Sequence, residues 1–132
     1  DRFFLALRPI VEADLGVMQK LRSAILAHLD VITGDLDAAA VYTVEWRHLT
    51  GERRAAVTKR RDEYEALFRG LVSEAIRERF ISAIDAPTAA LFILSSLNYV
   101  FTWYHPGGRL SPEAVGRMLA DYTFDGLRRR TA

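Results

Sequence analysis

The sequence predicts an all-α domain, and three observations carry that reading. Apolar residues recur at steps of three and four over most of the chain, which is the period of a helix with one buried stripe. No strand-length run of alternating apolar and polar residues is bounded by turn residues. Two breaks, at Gly34-Asp35 and over residues 106–112, each stop one helix and start another within a few residues. The chain has 132 residues, 50% hydrophobic and 27% charged, enough for one cored domain and too few for two, so residues 1–132 are expected to form a single domain.

The elements follow in order. Residues 3–13 read as the tail of a helix whose start lies outside the chain, with Pro9 limiting its regularity. Over residues 15–32, Leu15, Met18, Leu21, Ile25, Leu29 and Ile32 draw one buried stripe, and Gly34 ends it. Asp35 caps a helix expected over residues 36–49, whose Ala38, Ala39, Ala40, Val41, Tyr42, Val44 and Trp46 call for cover on several sides. Thr50-Gly51-Glu52 opens the longest helix, to about residue 81. It carries Val57, Tyr64, Leu67, Phe68, Leu71, Val72, Ile76 and Phe80 on one face and is expected to be the spine of the domain.

Asp85-Ala86-Pro87 starts a strongly apolar helix expected to reach Tyr104. Pro106 stops it, and Gly107 and Gly108 can take positive φ and reverse the chain. Ser111 is the N-cap of the final helix, with Pro112 in its first turn and Glu113 beside its positive end. That helix is expected to run to about residue 129 with Val115, Met118, Leu119, Tyr122 and Leu127 as its stripe, and Arg128-Arg129-Arg130 suits its negative end.

The apolar helix of this hairpin has more faces than one subunit covers. Ala90, Leu94, Leu97 and Phe101 form one line, Ile93, Val100 and Tyr104 a second, and Phe92, Tyr99 and Trp103 a third. A twofold homodimer, each copy giving two helices to a four-helix interface, is the simplest cover. Ala90, Leu94, Leu97, Phe101, Tyr104, Val115, Met118 and Tyr122 are its expected contacts. The alternative is that the earlier helices wrap this one completely.

Composition excludes several functions. A net charge of +1, from 18 basic and 17 acidic residues, gives no overall field to hold nucleic acid. Without cysteine there are no disulfides, thiolate nucleophiles or cysteine metal sites, and a cytoplasmic location is only the default. The apolar run over residues 86–104 is interrupted by Ser95, Ser96 and Asn98 and turns directly into another helix, so it reads as a buried helix and not a membrane span. The opening Asp1-Arg2-Phe3-Phe4 has neither an initiator Met nor a signal pattern, as expected for part of a longer protein.

No catalytic constellation emerges. His28, His48 and His105 show no metal spacing, and Glu45-Trp46-Arg47-His48 lacks the second copy and extra carboxylates that a di-iron bundle needs. There is no nucleophile elbow and no phosphate loop. Neither a metal nor another cofactor is expected. Lys59 with Glu63 and Arg61 with Glu65 are four apart, which suits a solvated face. Ser95, Asn98 and Thr102 remain as a polar line on an apolar helix, flanked by Tyr99 and Trp103. They either bond to neighbouring helices or face a cavity and orient a ligand against a wall of Tyr42, Trp46, Tyr64 and Phe68.

The string from Leu97-Asn98-Tyr99-Val100 through Thr102-Trp103-Tyr104-His105-Pro106-Gly107-Gly108-Arg109-Leu110-Ser111-Pro112-Glu113 resembles the C-terminal effector-binding and dimerisation domain of TetR/AcrR-family transcriptional repressors. It is most similar to a branch with regulators of steroid and fatty-acid catabolism, in which a Trp-Tyr-x-Pro-Gly-Gly-x-Leu-Ser turn joins the two dimer helices. The resemblance implies a TetR-like helical bundle with a two-helix dimerisation hairpin and no enzymatic activity. It also implies a helix-turn-helix domain preceding Asp1 that binds operator DNA, and a small-molecule effector that shifts the spacing of the recognition helices. Analogy with the branch suggests an acyl-CoA or a lipid-like acid. Arg47, His48, Arg53 and Arg54 could meet its phosphate or carboxylate, or be ordinary surface cations. A dimerisation module without a ligand is the competing function.

Overall fold

The computed structural model describes residues 1–128 and contains, among them, six α-helices and two 3-10 turns. The first helix, α1 (Arg2–Glu12), holds Pro9 inside it, and Asp1 caps it by accepting the Phe3 N–H at 2.9 Å. The second, α2 (Val17–Gly34), starts two residues later than its stripe suggests, leaving Leu15 exposed. Leu21, Ala24, Ile25, His28, Leu29 and Ile32 are buried along it, and it touches every other α-helix. It is therefore the hub of the domain. The longest helix, α4 (Gly51–Arg77), was expected in that place, but its first half stands exposed and only Tyr64, Phe68, Leu71, Val72 and Ala75 are buried.

Between these helices α3 (Leu36–Thr43) is capped by Asp35, whose carboxylate accepts the Ala38 N–H at 3.0 Å. It stops well before residue 49. The β-branched run Val41, Thr43, Val44 disfavours helix, and the chain tightens into a 3-10 turn over Glu45–His48. Val41 and Val44 are exposed, so this helix has cover on one side only. At the far end of α4, Arg79 takes a left-handed conformation with φ 66°, and its N–H bonds back to the Ile76 carbonyl at 3.0 Å. Phe80 is thereby thrown off the expected stripe and exposed. Ile81 instead is buried, and Ser82 N–H donates to the Leu127 carbonyl at 3.0 Å.

The apolar helix is shorter than its composition predicts. Its α-helical part, α5 (Ala86–Asn98), is capped by Asp85 and gives way to a 3-10 turn over Tyr99–Thr102. The turn's tighter winding carries Val100 and Tyr104 inward and leaves Tyr99 and Trp103 outside. The reversal then needs its glycines. Gly107 has φ 74°, and a Cβ on Gly108 would lie 2.9 Å from the His105 carbonyl oxygen, which accepts the Gly108 N–H. Ser111 caps the last helix, α6 (Pro112–Leu127), by accepting the Ala114 N–H at 3.1 Å. Arg129 and Arg130, expected at its end, lie outside the described residues. Among the described residues no helix is long and apolar enough to cross a membrane.

Candidate functional site: a cavity backed by His28, Tyr64 and Asn98

Three helices each place one polar side chain at the centre of the bundle. His28 from α2 lies with Nδ1 2.8 Å from the Tyr64 hydroxyl of α4 and Nε2 2.6 Å from the Asn98 amide oxygen at the end of α5. An amide oxygen can only accept, so Nε2 carries the proton and Nδ1 accepts from Tyr64. Burial holds His28 neutral, its pKa lowered to about 4; the Asn98 bond opposes this and the nearby Arg61 charge adds to it. The same burial raises the Tyr64 pKa, with a further push from Tyr42. Phe3 stacks on the imidazole at 4.6 Å between ring centres, and Phe68 meets it edge-on at 6.0 Å. Thr43 donates to the Asn98 carbonyl at 3.3 Å, so α3 is tied to the point where α5 ends.

On the outer side of this network is a cavity of about 230 Å³. Tyr42, Trp46, Tyr64, Ser95 and Asn98 line it, with Leu91 and Leu94 from α5 and Thr58, Arg61, Asp62 and Glu65 from α4. Arg61 is held at its edge. One guanidinium nitrogen donates to the Tyr42 carbonyl at 2.7 Å, and the group stacks 4.4 Å from the Tyr42 ring centre and 4.6 Å from that of Trp46. The expected Arg61–Glu65 pair is not what forms, because Glu65 pairs with Arg69 at 3.5 Å; Glu63 likewise pairs with Arg60 at 3.5 Å and not with Lys59.

A family model described as the tetracyclin repressor-like C-terminal domain matches residues 14–127. The chain belongs to this family. The TetR-like helical architecture expected from the hairpin string is thus the one observed. The HTH-type transcriptional repressor KstR2 of Rhodococcus jostii is 26% identical over 129 residues, which take in 96% of this chain and 63% of that protein. The chain therefore spans less than two thirds of the length of this curated relative. Among solved structures, the ketosteroid transcriptional regulator KstR2 of Mycobacterium tuberculosis matches with a TM-score of 0.89 at 20% identity, over 97% of this chain and 66% of that one. AibR in complex with isovaleryl coenzyme A and operator DNA matches with a TM-score of 0.79 at 23% identity, over 96% and 66%.

Within this TetR domain the residues expected to bind a ligand divide. Tyr42, Trp46, Tyr64, Ser95 and Asn98 come together on the cavity, whereas Phe68 is sealed in the core behind Tyr64. Tyr99, Thr102 and Trp103 do not reach it. The 3-10 turn points Tyr99 and Trp103 to the outside, and Thr102 is exposed with its hydroxyl on the Tyr99 carbonyl at 2.7 Å. Trp103 borders a different hollow, with Tyr104 and Arg109 at the hairpin turn.

The expected dimer contacts are also distributed unevenly over the subunit. Ala90, Leu97 and Val115 are fully buried against their own chain, and Leu94 and Tyr104 nearly so, leaving no surface to offer a partner. Of that set, Phe101 and Met118 are half-buried and Tyr122 is exposed. The hairpin's open apolar residues include Phe92 (60%), Tyr99 (45%), Trp103 (48%) and Tyr122 (67%). Arg47, His48, Arg53 and Arg54 are exposed and none lines the cavity; Arg54 bonds the Arg47 carbonyl at 3.0 Å beside an open groove on the outer side of α4.

Sequence reasoning missed His28 and Arg61. His28 falls three residues after Ile25 on the buried stripe of α2, and a lone histidine on a core stripe is itself a signal that a polar partner must be found for it. Arg61 carried no such mark. Its helix position allowed a pair with Glu65, and only the fold brings Tyr42 and Trp46 over it.

Proposed function

We propose that this chain is the effector-sensing and dimerising part of a cytoplasmic transcriptional repressor, whose operator-binding helix-turn-helix belongs to another stretch of the same protein. The observation that carries this reading is the position of Asn98. It closes the His28–Tyr64 network, lines the cavity and ends the helix whose outer side carries Phe92 and which runs on into the turn that exposes Tyr99 and Trp103. A ligand in the cavity contacts the same residue that sets where α5 gives way to the 3-10 turn. Its binding energy can therefore favour one arrangement of the α5–α6 hairpin, and with it one spacing of the two operator-binding domains in the dimer.

The effector is a small acyl group, free or carried on coenzyme A. The cavity volume suits a short acyl chain, and a structural relative of this fold holds isovaleryl coenzyme A. No catalytic role is assigned to His28: a neutral imidazole enclosed by Tyr64, Asn98, Phe3 and Phe68 has no route to a reacting group. Thermal unfolding with a panel of short- and medium-chain acyl-CoAs tests the reading. A ligand that binds the native state at one hundred times its Kd adds about 2.7 kcal/mol of stability and a matching rise in Tm. A panel that leaves Tm unchanged leaves the chain as a dimerisation module.

A further inference from the structure

We infer that Arg61 makes the cavity selective for an anionic ligand, an acyl molecule whose carboxylate or carrier phosphate is received by the guanidinium. The inference rests on the effector-sensing reading above and adds the chemistry that selects the effector. Arg61 has no carboxylate within ion-pair distance among the described residues. Two acidic groups share the cavity wall with it: Glu65 is paired with Arg69, and Asp62 is exposed and also borders the outer groove next to Lys59.

The guanidinium is nevertheless fixed. It is stacked on two aromatic rings and held by one bond to the Tyr42 carbonyl, with its remaining N–H donors unassigned among the described residues. A flat, oriented fork with free donors at the edge of a cavity walled in part by aromatic rings matches the geometry of a carboxylate or phosphate, and stacking lowers the entropy lost when the ligand arrives. Its charge also reaches into the site: Arg61 opposes protonation of His28 and partly offsets the rise that burial gives the Tyr42 pKa. Deeper in the cavity the Asn98 amide NH2, which takes no protein partner among the described residues, can donate to a carbonyl oxygen of the same ligand.

The test is calorimetric titration of the chain with C4–C8 carboxylates, the matched primary amides and the matched CoA thioesters, repeated on Arg61→Met and Arg61→Lys. Acids or thioesters are expected to bind at least about ten-fold more tightly than the isosteric amides, as a charge-assisted pair requires. Arg61→Met removes that preference and Arg61→Lys keeps part of it. A preference for the free acid identifies a carboxylate at Arg61, and a preference for the thioester identifies the carrier phosphates. Amides that bind as well as acids and thioesters, or a preference that survives in Arg61→Met, overturn the inference and leave the cavity reading intact. Failure of every compound to bind overturns both. Should Arg61→Met not fold, the acid-to-amide ratio in the unmodified chain and in Arg61→Lys decides.

Discussion

The two sides of α5 carry equally apolar residues and lead opposite lives. Ala90, Ile93 and Leu97 are packed against the chain's own core, while Phe92 and, just past the helix end, Tyr99 and Trp103 stand open. Hydrophobicity alone does not separate them, because burial is decided by which neighbours the fold supplies and not by the residue's own transfer energy. What separates the sides is the pair α2 and α4, which both pack against α5, with α2 offering His28 to Asn98. The inner side is thus committed to the subunit, and the outer side is the one on which the proposed dimer would form.

The sharpest way to break this comparison is to put one charge on each side. Leu97→Glu places a carboxylate in a site 1% exposed, with no cation given to it, and is expected to cost about 3–5 kcal/mol or abolish folding, read by circular dichroism and urea unfolding. A folded, cooperative Leu97→Glu variant would place Leu97 on the outside after all.

A smaller effect comes from the network behind the cavity. Asn98→Ala leaves His28 Nε2 with an unpaired proton in the core and is expected to lose about 1–3 kcal/mol in urea unfolding. The same histidine imposes a pH dependence. Its folded pKa is about 4 against an ordinary 6.5, so between those values the unfolded chain binds the additional proton and stability falls as pH is lowered. The contribution is complete above pH 6.5, is lost on the way down to about 4, and is on the order of 3 kcal/mol in total. His28→Leu should flatten that slope whatever it does to the overall stability; an unchanged slope would show that the imidazole titrates freely.

Two further changes refine the inner side. Tyr42 separates the cavity from a second hollow of about 220 Å³ lined by Phe3, Val31 and Ala39. Tyr42→Ala should join them and move the preferred acyl length upward by several carbons, measured by calorimetry across a chain-length series. The smallest effect belongs to a position remote from both sides: Arg79 pays for a left-handed backbone, and Arg79→Gly should raise stability by about 1 kcal/mol in urea unfolding.

Much of this fold is legible in the residues because the signals are local. Asp35, Asp85 and Ser111 act as caps, and Gly107 and Gly108 turn the chain where a side chain would clash or strain. The stripe of α2 is legible for the same reason. Harder to read is the point at which a helix changes its winding. Once residues after Asn98 advance by about 120° each instead of about 100°, the lines drawn down the helix no longer hold. Tyr99, Thr102 and Trp103 then leave the cavity to which straight-helix periodicity assigns them, and Tyr104 turns inward. Tyr42, Trp46 and Tyr64 precede that break and meet at the cavity. The partners of His28 and Arg61 lie far away in sequence, and no spacing rule along one helix could have paired them.

The central claim is that sensing and dimerisation use different faces of one helix, and Phe92→Glu tests it most directly. Phe92 is 60% exposed and touches neither the cavity nor the network, so the variant should keep its fold. Sedimentation equilibrium is expected to show a folded monomer under conditions in which the unmodified chain forms the proposed dimer; an unchanged dimer of Phe92→Glu would contradict the account.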